Sequence, residues 1–432
     1  MPQNDFSSNL YLQYMEAIQN FIKQPGDLQV TAPPTAWDWG GASAGLHGAT
    51  WDEYVALNRV LSAPNSDTRR WGSSDGFDAI YHALITTALK PVSENDPEYE
   101  KLQAQANEDL EALQSAITGA STDFDNYLQA NPKSSVTYQA WLEGDGAAHK
   151  AEIDGVKATC ATSRQNLSDF VLSKDGPIKD ALAKYTAGLT EIVDPTTQQK
   201  TKVGAWSVSK RAIDYVNEIT NKEPGAPAKD VTKISIKKDS ATYDFDRVWG
   251  EGSFKTEGFL DFFTAKANGS YEKIDTSGAA SDYAIDIELG GFQAIPVSPG
   301  QWFDPGFLNT AATEPDNYNE NFSPFEKDGA RYFFGPGGSL ERQITAIVVA
   351  YQPSITVKVS EQFSTTMSQT WHAAGQIDIG PFSFGGSAEG QKSASTFTSS
   401  GDSFTVANKE PWPVIIGFLT EFVVKPQKKS AT

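Results

Sequence analysis

Apolar residues recur at steps of three and four through most of the first half of the chain, and at steps of two through much of the second. Helical spacing joins Tyr11, Met15, Ile18 and Ile22, and Pro25-Gly26 ends that run. A helix over 50–61 is predicted by the capping-box form Thr50-Trp51-Asp52-Glu53. Another carries Phe77, Ile80, Leu84 and Ala88. The most regular stripe begins at Asp96-Pro97 and runs through Tyr99, Leu102, Ala106, Leu110, Leu113, Ile117, Ala120, Phe124 and Tyr127, until Asn131-Pro132 stops it. Beyond Gly144 and Gly146 the seam resumes with Ile153, Val156, Cys160, Ser163, Leu167 and Phe170. Two long helices with a short connection pack antiparallel. Further helices are expected over 177–192 and 206–221.

From Ile234 onward the period becomes two. Strands are predicted at 234–238, 283–289, 292–297, 344–351, 355–371, around 375–384, at 393–399 and at 414–424, with Gly, Pro and Asp/Asn clusters between them. The aromatic, Pro- and Asn-rich segment 298–338 reads as an elaborate surface loop. The fold class expected is therefore α+β. An N-terminal multi-helix domain (1–222) holds a long antiparallel helix pair, and a Pro/Gly-rich linker (223–233) follows. A C-terminal antiparallel, β-rich, sandwich-like domain spans 234–425, with a short tail at 426–432.

The stretch 355–404 stands out. Its even positions from Thr356 to His372 are polar, mostly Ser and Thr, while Ile355, Val357, Val359, Phe363, Met367 and Trp371 occupy odd ones. A Gly-rich segment, 380–390, allows reversal into a second Ser/Thr-rich arm. One reading is a half-buried sheet whose apolar residues pack inward and whose hydroxyls face water. The other is an amphipathic hairpin that enters a membrane, where a strand needs only about 9–11 residues and its polar face must be uncharged. On that reading Phe363, Met367, Trp371, Phe382, Phe384 and Phe397 are the membrane contacts.

Composition narrows the field. The 432 residues hold 55 Asp and Glu against 35 Lys and Arg, a net charge of −20, which repels phosphate backbones and disfavours nucleic acid. A single cysteine, Cys160, excludes an internal disulfide and falls on the helical seam as a small core residue. None of the four histidines has a partner at zinc-site spacing. Gly41-Ala42-Ser43-Ala44-Gly45 matches a nucleophile elbow in letters, without the strand before it and helix after it that the motif needs. No cofactor or metal is expected. The N-terminus shows neither a basic region nor an apolar signal core, so synthesis in the cytoplasm is expected, with release to act outside the cell left open. The leading expectation is a non-enzymatic, pore-forming, toxin-like protein that oligomerises and acts on a target-cell membrane or receptor through the 355–404 hairpin. The alternative is a structural or glycan-binding oligomer that uses loop aromatics: Trp37, Trp39, Trp302 and Phe303.

Overall fold

In the computed structural model the described residues are 3–22, 26–35, 57–58, 76–90, 96–131, 138–172, 177–193, 200–208, 214–215, 218, 230–242, 262–267, 270–276, 282–327, 329–335, 338–385, 395–409 and 413–424. They form a mixed α+β structure whose sheets are antiparallel apart from one two-residue pair.

Helix α1 (Gln3–Phe21) buries Phe6, Leu10, Tyr14 and Ile18 on one stripe, and β1 (Asp27–Thr35) follows it. Helix α2 (Phe77–Ala83) runs on into one wider turn at Leu84–Ala88. Of the helix expected over 50–61, only Leu57 and Asn58 lie within the described residues. Helix α3 (Pro97–Ala130) starts as predicted: the Asp96 carboxylate accepts from the Glu98 amide, and Pro97 fills the first turn. A short helix α4 (Tyr138–Glu143) precedes α5 (Ala147–Leu172). Tyr99 at the start of α3 touches Phe170 near the end of α5, and Asp123 near the end of α3 meets His149 at the start of α5 at 3.0 Å. The two helices are thus antiparallel. Leu113, Ala120, Phe124, Trp141, Ile153 and Cys160 fill the seam between them.

Helix α6 (Pro177–Ala187) stops short of Ile192, because Gly188 turns the chain into β2 (Leu189–Val193), which pairs with β3 (Lys200–Gly204). The helix expected over 206–221 is overturned at its start, where strand β4 (Trp206–Val208) runs, while 214, 215 and 218, the other described positions of that span, are helical. Strands β5 (Val231–Lys237), β6 (Phe263–Ala267), β7 (Ser270–Lys273) and β8 (Ala284–Pro299) come next. Helix α7 (Pro305–Thr313) and the short strands β9 (Phe322–Ser323) and β10 (Arg331–Tyr332) lie in the segment read as a surface loop. That reading is corrected here. Trp302, Leu308, Tyr318, Phe322, Phe333 and Phe334 are buried, because aromatics so numerous gain more from packing than from water.

The larger correction concerns 355–371. Strand β11 (Arg342–Lys358) ends at Lys358, and helix α8 (Glu361–Ala374) replaces the rest of the expected strand. Ser360 caps that helix by accepting from the Phe363 amide, and Gly375 ends it at φ 75. The apolar residues Phe363, Met367 and Trp371 lie four apart, a spacing that keeps one face in a strand and nearly one face in a helix. Pattern alone was ambiguous, and the two caps settle it. Strands β12 (Gln376–Ile379), β13 (Phe382–Gly385), β14 (Thr396–Ser400), β15 (Ser403–Ala407) and β16 (Pro413–Phe422) complete the chain. The long 355–404 hairpin is therefore absent from this state. A tight β14–β15 hairpin turned at Gly401, and a small sheet ordered β13-β12-β6-β7, take its place.

Strands β8 and β11 form the spine of the main sheet. At one end the order is β4-β8-β11-β16-β1, and at the other β5-β8-β11-β15-β14. Between these ends the register shifts, and Gln352 adopts a positive φ of 47, a bulge that swaps which residues face which side.

Candidate binding face

The bulge divides the sheet's two faces unequally. One face is covered along its whole length: Ala346, Val348 and Ala350 before the bulge, and Ile355 and Val357 after it, pack with α1, α8 and the small sheet. The opposite face is covered only before the bulge, where Ile347, Val349 and Phe418 join the core shared with α2, α5 and α6. Beyond it, that face is open. Directly paired residues share a face, so its rows can be read across five strands. The central row is Ser235, Asp286, Thr356, Thr405, Thr398. Beside it run Lys233, Glu288, Ser354, Ala407, Thr396, and Lys237, Ala284, Lys358, Ser403, Ser400. Every one of these side chains is exposed or half-buried.

Hydroxyls dominate this face, and one pair of them bonds directly across two strands. The Thr356 and Thr405 hydroxyls lie 2.9 Å apart, and Ser235 donates to the Asp286 carboxylate at 2.6 Å. Charge is confined to β5, β8 and Lys358. Lys233 and Glu288 pair at 2.6 Å, while β14 and β15 present no charge outward. At the β14 edge the surface turns into a groove of about 190 Å³, lined by Glu361, Ser364, Thr365, Ser368, Gln369, Ser399 and Gly401. The Ser364 hydroxyl donates to the Ser403 carbonyl at 3.0 Å and fastens α8 to the β14–β15 hairpin.

The residues expected to touch a membrane lie beneath this surface. Phe363, Met367, Phe382 and Phe384 are buried, and Trp371 and Phe397 are half-buried. Trp371 stacks on Phe397, Phe397 on Phe404, and Phe404 packs near Phe363, with ring centroids 5.6, 5.6 and 6.3 Å apart. Phe363 in turn meets Phe263 at 5.4 Å. This ladder glues α8 to the inner side of the sheet. Phe382 and Phe384 sit in β13 rather than at an exposed tip, and Phe382 packs edge-on against Tyr14 of α1.

Two of the four expected ligand-facing aromatics are core residues. Trp302 is fully buried and donates its indole N–H to the Ala205 carbonyl at 2.6 Å. The surrounding backbone is so tight that a Cβ at Gly188 would come within 2.3 Å of the Trp302 amide nitrogen. Phe303 packs with Phe77 and Tyr81. Trp37 and Trp39 lie outside the described residues.

Buried titratable groups hold elements together. The Asp78 carboxylate of α2 accepts from the Asn58 side chain, the Ala79 amide and the Gly204 amide of β3; burial raises its pKa against these bonds. Asp378 of β12 accepts from Ser383 and Gln376, and burial raises its pKa too. His82 stacks on Tyr185, and burial, then the Arg164 charge, lowers its pKa to about 3. Among the described residues no group of three or more His, Cys, Asp or Glu could hold a metal ion, and no helix is long and apolar enough to cross a membrane.

Ser235, Ser354, Thr398, Thr405 and the rest of the outer rows were not singled out from the sequence as a site. A strand was expected at 234–238, close to β5, but none at 403–407, and the pairing that aligns these strands was not legible. What the fold and surface define is an α+β protein with a half-covered sheet and an open hydroxyl-rich face. No family model, curated protein or solved structure matches the chain.

Proposed function

We propose that this chain is a non-enzymatic binding protein whose open sheet face takes an uncharged, polyhydroxylated ligand, a glycan. The observation that carries this reading is the set of Ser and Thr rows across β11, β15 and β14; round the β14 edge lies a groove lined by Ser and Thr hydroxyls, Gln369 and the Glu361 carboxylate. A hydroxyl both donates and accepts, so such a surface matches a partner that does the same, as sugar hydroxyls do. The absence of outward charge on β14 and β15 gives an anion nothing to pair with there. The groove is smaller than the roughly 300–1,000 Å³ of sites for drug-sized ligands, which suits one sugar ring of a longer chain lying on the face. The helical half (1–222) lends β1 and β4 to the sheet and covers its other part, and β5 together with 238–425 carries the face. Limited proteolysis that never cuts within 223–233 would count against that division.

The test is binding to immobilised polysaccharides and a glycan array. Replacing Thr356, Thr398 and Thr405 together by Val removes several hydrogen bonds of about 0.5–1.5 kcal/mol each, so affinity falls at least ~tenfold while the unfolding temperature holds. If the wild type retains no polysaccharide, or the triple variant binds equally, the reading fails.

Membrane insertion is the second reading, and one observation favours it. The run 362–371 carries no charge and fits strand and helix periods alike, so α8 has the pattern needed to extend β11 on a lipid surface. Cysteines at Ser368 and Ser399, which line one groove, would pin α8 to β14. Dye release from vesicles that needs reduction of that bond supports insertion, whereas release with the bond intact, or none at any pH, ends it.

A further inference from the structure

The strand edges carry an inference of their own. An exposed edge offers unpaired N–H and C=O groups to any passing strand, and proteins blunt such edges with charge, proline or cover. Those devices are visible around this molecule. Lys233 and Lys237 mark β5, Pro33 and Pro34 interrupt β1, and Glu272 and Lys273 lie on β7. β13 lies against β1. Strand β14, Thr-Phe-Thr-Ser-Ser, has no charge and no proline; its side chains are exposed apart from the half-buried Phe397. Among the described residues β15 is its only strand neighbour.

We propose that β14 is the contact through which two copies of this chain pair, edge to edge and antiparallel, about a two-fold axis at Thr398. Charge selects the strip, and the strand's match to its own reverse selects a second copy. Each copy carries −20, so two copies repel wherever their acidic surfaces meet, and a neutral strip is where that repulsion is least. The strand is also compatible with its own reverse. Thr398 faces the partner's Thr398, Phe397 faces the partner's Ser399 on the inner side, and Thr396 faces the partner's Ser400 on the outer side. No like charges come opposite one another. Pairing β14 with the partner's β5 would leave a free edge at each end and add copies without limit. The two-fold pairing uses the β14 edge of each copy against the other and closes. It joins two five-stranded ends into one continuous sheet and doubles the hydroxyl face. One strand edge buries far less than the roughly 1,200–2,000 Å² of a standard stable interface, so the dimer is concentration-dependent.

Sedimentation of the full chain over a concentration series tests this, and contains no glycan, so its outcome is separate from that of the binding reading. Wild type shifts from monomer toward dimer as concentration rises. Thr398→Lys and Thr398→Glu each stay monomeric, since like charges meet across the axis. Mixed in equal amounts they form a heterodimer at least about tenfold tighter than either variant with itself. A wild type that is monomeric throughout overturns the proposal. So do variants that dimerise as the wild type does, or a mixture no heavier than its separate components.

Discussion

The two ends of the main sheet share their spine strands, yet differ in how many faces they bury. Before the bulge at Gln352, β11 reads Ile344-Thr-Ala-Ile-Val-Val-Ala-Tyr351, nearly continuous apolar sequence, and both its faces meet a core. After the bulge it reads Ile355-Thr-Val-Lys358, and only the odd positions are buried. Cover on one side or two is thus written in the local period of the strand. An alanine scan along β11 and its neighbour β16 breaks this comparison most directly. Ile347→Ala and Phe418→Ala, on the covered side, should each cost about 2–5 kcal/mol, and so should Ile355→Ala beyond the bulge. Ser354→Ala and Thr356→Ala should fall within about 0.5 kcal/mol, as exposed positions do. Urea unfolding reads both sets. Losses at 354 and 356 as large as at 347 and 355 would mean the open face is not open.

The covered end also holds the titrating core. His82 lies against Tyr185, with a pKa lowered to about 3 by burial. Its unfolded value is near 6.5, so below that pH the unfolded chain takes up a proton the folded one refuses. Stability contributed by the neutral imidazole is full above about pH 6.5 and falls as pH drops toward 3. The partly exposed edge of His82 narrows this window from its acid side. Asp78 and Asp378 act with the opposite sign: their raised pKa values favour the folded state as pH falls. His82→Gln should therefore flatten, or reverse, the loss measured between about pH 6.5 and 4. An unchanged slope in that variant would remove His82 from the account.

Much of the helical half was legible because its signals are local. Asp96-Pro97 opens α3 and a three–four stripe fixes its buried side, so the pairing with α5 followed. The site was less legible, because it depends on alignment between strands far apart in the chain. Thr356, Thr405 and Thr398 come together only through the β11–β15 and β15–β14 pairings. The error at 361–374 has a different cause. Residues four apart satisfy two periods, and a seventeen-residue alternation outweighed the Ser360 and Gly375 signals at its ends. Those caps can be weighed. Ser360→Ala removes the hydrogen bond to the Phe363 amide and should cost about 1 kcal/mol, read as earlier fraying of α8 in hydrogen exchange. No change in protection at 361–366 would mean the helix is held by the aromatic ladder alone.

The smallest effect is the most discriminating. Thr356 and Thr405 face each other across β11 and β15, half-buried, with hydroxyls 2.9 Å apart. If they bordered a hidden core, Val at one position would strand the other hydroxyl without a partner, at a cost of about 1–3 kcal/mol. On a face open to water the stranded hydroxyl bonds solvent, and valine's preference for strands offsets part of what is lost. Thr356→Val, Thr405→Val and the double variant should then each change stability by less than about 0.5 kcal/mol, with coupling between them near zero. Coupling well above that would show that the two hydroxyls are shielded from water. The open end of the sheet would then resemble the covered one, and the proposed binding face would lose its physical basis.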